Sequence, residues 1–260
     1  MPWGALEVMQ TLPAFALVLV RLSGLMLVAP VFSSPVIPLR VRAALTMVLA
    51  AMVFPLVRVQ VPGELSLGAV LTGAVAELAV GACIGLSMGL LLVGVELGGM
   101  LTGMQAGLGI GEVFDPTLGR DVNLLGQLFN LVLMLLFLGL GGHRALLRAL
   151  LDSYSAVPLL SFTGNESVVV LFTEVLTAAF VLALRLAAPA LIALFLMTTT
   201  LAFLSRTMPQ LNILTVGFTI KGFVALGVAG LTLGVAGDLL IGSVWEVLDS
   251  VRVHFGMATA

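Results

Sequence analysis

Between Leu65 and Gly111 the chain runs for 47 residues with no proline and only two charged side chains, Glu77 and Glu96. As one α-helix this region would be about 70 Å long, more than twice the ~30 Å hydrocarbon core of a bilayer. It must therefore break, protrude from the membrane or turn back, and the Gly98-Gly99 pair is the local candidate for a break. Its first half carries Gly73, Glu77, Gly81, Gly85 and Gly89 at intervals of four. On a helix that spacing sets a carboxylate inside a stripe of small residues, a surface suited to close approach of another backbone rather than to lipid.

The second half leads into a glycine-rich run, Glu96 to Asp121, with seven glycines, four of which (Gly99, Gly103, Gly107 and Gly111) fall at every fourth position. Such a run is either a packing seam or a non-helical insert held among other helices, since glycine enters left-handed φ freely. Phe114-Asp115-Pro116 ends any helix, because Pro116 biases Asp115 away from the α region. The length argument favours departure from helical geometry. Glu96 to Gly103 then reads as helix end and close packing, and the chain from Met104 onward as the insert.

Composition sets the solvent. With 60% hydrophobic residues, 9% charged residues and a mean hydropathy of +1.23, the chain lies far from soluble proteins, in which about a quarter of residues are charged. It reads as an integral membrane protein in contact with the lipid bilayer. A net charge of -2 and scattered basic residues exclude nucleic-acid binding and electrostatic adsorption to anionic lipid. The lone cysteine, Cys83, cannot form an internal disulfide and is expected to be a small buried side chain. Met1 to Gln10 holds Glu7 and no basic residue, so no removable secretory signal is expected there.

Chemistry is sparse. His143 and His254 are the only histidines and lack metal-ligand spacing, no Gly-x-Ser-x-Gly elbow occurs, and Gly107-Leu-Gly109-Ile-Gly111 lacks the lysine and hydroxyl residue of a phosphate loop. The sequence therefore predicts no enzyme activity, no cofactor and no metal.

The remaining apolar regions are Leu12 to Phe32, containing Arg21; Ala43 to Val57; Asn123 to Gly142; Val168 to Ser205, about 57 Å as one helix, with Pro189 as a kink or break; and Gly222 to Val244, containing Asp238. Pro30, Pro35 and Pro38 separate the first two, Arg144 to Ser155 is amphipathic, and Arg206 to Lys221 reads as a polar link. The expected fold is an all-α membrane protein, a single domain over 1–260, with about six long apolar helical regions and a glycine-rich loop mid-chain. Its intramembrane charges are Arg21, Glu77, Glu96, Glu174, Arg185 and Asp238, and each must pair, snorkel or face water. They are structural pairs, or else a proton or cation path in a small-molecule or ion transporter.

Several features occur in a familiar order: Arg21 with Ser23-Gly24; Pro30, Pro35, Pro38 and Arg40; Glu77 with Gly81 and Gly85; Ala106-Gly107 and Gly111 ahead of Phe114-Asp115-Pro116; Phe137 to Gly142-His143; then Ser153 and Pro158. In this order and spacing the chain resembles the FliR family of the flagellar type III protein export gate, sister to an injectisome family. The resemblance implies long bent helical hairpins and a non-enzymatic gate subunit of the bacterial inner membrane at the flagellar basal body. It implies assembly with the P and Q proteins of the gate, contact with FlhB, and passage of exported unfolded flagellar proteins. It also implies a pore plug at the positions Met104 to Phe114, including Gly107, Gly109 and Gly111.

Overall fold

A computed structural model describes residues 3–57, 67–108, 124–162, 166–208, 210 and 213–256. Seven α-helices account for most of them: α1 (Trp3–Val28), α2 (Leu39–Val53), α3 (Leu67–Ala106), α4 (Leu124–Gly139), α5 (Gly142–Ala156), α6 (Glu166–Thr207) and α7 (Ile213–His254), with a 3-10 turn at Phe54–Leu56. No strand occurs among the described residues. This is an all-α membrane protein: helices are the form in which an apolar chain satisfies its own backbone groups in lipid. Four helical stretches are long and apolar enough to cross a bilayer, Leu39–Leu56, Val70–Ala106, Val168–Thr207 and Thr215–His254; α4 and α5 qualify together, and Leu12–Val28 is shorter.

Prolines set the first boundaries. α1 stops at Val28, ahead of Pro30, and the turn that follows puts Val31 at φ +74°. Pro38 then caps the start of α2, and Pro55 lies in the 3-10 turn that closes it. Phe15 of α1 meets Phe54 edge-on, ring centroids 5.6 Å apart.

Three expectations about the long helices are corrected. α3 runs unbroken through Gly98 and Gly99 to Ala106. A Cβ at Gly98 would lie 2.8 Å from the Ala183 carbonyl oxygen, and one at Gly99 would lie 2.7 Å from that of Leu125. These glycines admit neighbouring backbones; they do not interrupt the helix. α6 continues through Pro189 as one 42-residue helix, so of the kink or break expected there the break is absent. The polar link expected over 206–221 shrinks to the residues between Thr207 and Ile213, since α7 begins at Ile213 and takes in Lys221. In an apolar surrounding an open backbone costs more than a few polar side chains on a helix.

The chain divides into two compact units. One comprises Met1–Leu90, Gly141–Val175 and Val244–Ala260, and its core gathers Leu17, Leu22 and Met26 of α1, Ile84 and Met88 of α3, Leu146 and Leu150 of α5, and Val247 and Val251 of α7. The other comprises Leu91–Leu140 and Leu176–Ser243. There Leu125, Phe129, Leu133 and Phe137 form the buried stripe of α4, one residue per turn. The same unit buries Leu91 and Val95 of α3, Leu182 and Leu186 of α6, and Ala225, Ala229 and Ala236 of α7. α5 is amphipathic as its sequence requires, with Leu146 and Leu150 buried and Arg144, Arg148 and Asp152 exposed. Cys83 is a free, buried thiol.

Candidate functional site

Two buried charged residues of the first unit, Arg21 and Glu77, are brought together by glycine. A Cβ at Gly81 would collide with the Arg21 carbonyl oxygen, one at Gly24 with that of Leu78, and one at Gly85 would lie 3.0 Å from the Ala29 nitrogen. α1 and α3 thus meet backbone to backbone, the arrangement small residues permit in membranes. Gly81 lies one turn from Glu77, so the contact that seats Gly81 against the Arg21 carbonyl also brings the two charged side chains within reach.

Arg21 and Glu77 are both fully buried, and Arg21 Nε donates to Glu77 Oε2. The rest of the guanidinium is occupied as well: Nη1 donates to Ser153 Oγ at 3.2 Å and Nη2 to the Val157 carbonyl at 3.0 Å. Tyr154 lays its ring 4.4 Å from the guanidinium carbon and donates its hydroxyl to the Val18 carbonyl at 3.2 Å. The second carboxylate oxygen of Glu77 accepts the Leu160 N–H at 3.0 Å. A buried ion pair offsets its desolvation only with good geometry and satisfied remaining groups, and here both partners have them.

The other predicted charges do not join this cluster. Glu96 is exposed and accepts a hydrogen bond from Asn130 Nδ2 at 3.2 Å. Glu174 stands 3.8 Å from His254 Nδ1, which also lies 2.8 Å from the Ser250 carbonyl. Arg185 and Asp238 are exposed and make no hydrogen bond or ion pair among the described residues. Ser153, Tyr154, Val157 and Leu160 escaped the sequence reading as partners of a charge. The signal was present for two of them: Ser153 and Tyr154 continue the Leu146 and Leu150 face of α5 at helical spacing.

Of the proposed plug positions, Met104 lies in the last turn of α3, 57% exposed, and Gly107 follows the helix at φ +82°. The Leu108 N–H donates to the Gly103 carbonyl and the Gly107 N–H to that of Met104, both at 3.0 Å. These two bonds form a Schellman cap with glycine at its left-handed position. Gly109, Gly111 and Phe114 lie outside the described residues.

The family model described as bacterial export proteins, family 1, matches residues 12–246. The chain belongs to that family. Within the match fall Arg21, Glu77, Ser153, Tyr154, Leu160 and the whole glycine-rich run, so the buried cluster is built from the family's own stretch of sequence. Individual bacterial export proteins of known name are similar across most of their length. The flagellar biosynthetic protein FliR of Pectobacterium carotovorum subsp. carotovorum is 31% identical over 82% of this chain and 82% of its own. FliR of Bacillus subtilis (strain 168) is 28% identical over 83% and 84%. The Yop proteins translocation protein T of Yersinia pestis is 28% identical over 84% and 85%.

Proposed function

We propose that the chain is a non-enzymatic subunit of the flagellar type III protein export gate, one integral membrane domain that helps form the protein-conducting channel in the bacterial inner membrane at the flagellar basal body. The observation that carries this reading is the family match across residues 12–246, supported by relatives named as flagellar biosynthetic and translocation proteins. Its partners in this reading are the P and Q proteins of the gate, FlhB, and the exported unfolded flagellar proteins. The residues from Met104 to Phe114 act as the plug, which starts in the last turn of α3 and continues past its cap at Gly107.

The alternative, a small-molecule or ion transporter using intramembrane carboxylates, is weakened at its most buried member. Glu77 already spends one oxygen on Arg21 and the other on the Leu160 N–H. The test is co-expression with the P and Q proteins followed by purification through a tag on this chain. Co-purification in a stable complex is expected, and recovery of the chain only as a free monomer would count decisively against a gate subunit.

A further inference from the structure

The segment that leaves α5 is fastened by two main-chain groups to two charged side chains. The Val157 carbonyl accepts from Arg21 Nη2, and the Leu160 N–H donates to Glu77 Oε1, each at 3.0 Å. Between them the chain makes a turn, closed by the Ser161 N–H on the Pro158 carbonyl at 3.1 Å. Leu160 sits in that turn at φ +69°, a conformation a branched side chain takes only when its surroundings impose it. Two groups impose it here. The Glu77 carboxylate holds its N–H, and the bare Cα of Gly73 leaves the space its side chain occupies, since a Cβ there would collide with Leu160 Cδ2.

We propose that residues 157–162 form a strained strap and that the Arg21–Glu77 pair is the catch that keeps it closed, so that the strap can open while α1 and α3 remain paired. The two layers of contact use different atoms. α1 and α3 meet through the backbone around Gly24, Gly81 and Gly85, where the atoms nearest an added Cβ belong to Arg21, Leu25, Ala29, Leu78 and Ala82. Two of the strap's main-chain anchors end on the charged pair, and a third, the Val157 N–H on the Ser153 carbonyl, ties its first residue to α5. Replacing Glu77 by Gln leaves one acceptor oxygen for two donors, Arg21 Nε and the Leu160 N–H, and removes the counter-charge that orients Arg21 toward Val157, and the left-handed turn at Leu160 then relaxes. This inference is independent of the export reading.

The test uses the full chain in membranes with Val157→Cys added beside the native Cys83. Val157 serves the network through main-chain atoms, which a cysteine keeps, and Cys83, buried in α3, reports opening of the helix pair itself. Maleimide labelling of each thiol is followed by mass spectrometry. Glu77→Gln is expected to speed labelling at position 157 by about tenfold or more while Cys83 stays protected. Leu160→Gly, which removes the strain, is expected to slow labelling at position 157 below the parent rate, and it reads the proposal even if Glu77→Gln does not accumulate. Unchanged labelling at position 157 in Glu77→Gln, a joint rise of both thiols, or no slowing in Leu160→Gly would each overturn the strap.

Discussion

Arg21 and Glu77, 56 positions apart, form an ion pair in which neither side chain exposes any surface, and every nitrogen of the guanidinium has a partner. Removing one partner strands the other as an uncompensated buried charge. Glu77→Leu alone is expected to cost about 3–5 kcal/mol, whereas Arg21→Met with Glu77→Leu should cost markedly less, because apolar residues of similar volume fill the same site. Thermal unfolding of the purified chain in one detergent measures both. Equal losses in the single and double variants would refute the pairing.

Gly81 and Gly230 separate two kinds of glycine. A Cβ at Gly81 runs into the Arg21 carbonyl, while one at Gly230 meets nothing within 4 Å. Gly81→Ala should therefore force α1 and α3 apart and lose most of the folded protein, and Gly230→Ala should be neutral or stabilising by about 0.5–1 kcal/mol. Monodispersity and melting temperature decide it, and indistinguishable behaviour of the two variants would remove the backbone-contact argument.

Tyr154 contributes in two separable ways. Tyr154→Phe keeps a ring over Arg21 and loses the hydroxyl bond to Val18, with an expected cost of about 1 kcal/mol. Tyr154→Leu also loses the cation–π contact and should cost about 0.5–2 kcal/mol more. If chemical unfolding shows Phe and Leu at this position to be equivalent, the ring contact contributes nothing.

The plug assignment predicts a leak. Deleting Met104 to Gly111 from the chain in its assembled gate should raise membrane permeability to ions and small molecules, measured as conductance in planar bilayers or as sensitivity of cells to small toxic solutes. Unchanged conductance in an intact complex rules the assignment out.

Much of the fold was legible because length is a physical quantity. The regions ending near Gly111 and Ser205 were too long for one crossing, and α3 and α6 are indeed 40 and 42 residues. What the residues around Gly98 could not disclose is that a tertiary contact settles the helix there. Gly98 looks the same in sequence whether it bends a helix or admits the Ala183 backbone, and only the neighbour distinguishes the two. The pairing of Arg21 with Glu77 was foreseeable as a need, since buried charges require partners. The groups that complete it were not, because Val157 and Leu160 contribute main-chain atoms, and every residue type offers a carbonyl and all but proline an N–H.

The cap at the end of α3 has a mechanical consequence. With the Gly103 and Met104 carbonyls bonded to the N–H groups of Leu108 and Gly107, the last turn of α3 is closed by residues 107 and 108. A side chain at position 107 would strain the backbone at φ +82°, so the glycine there decides whether that turn stays wound or frays.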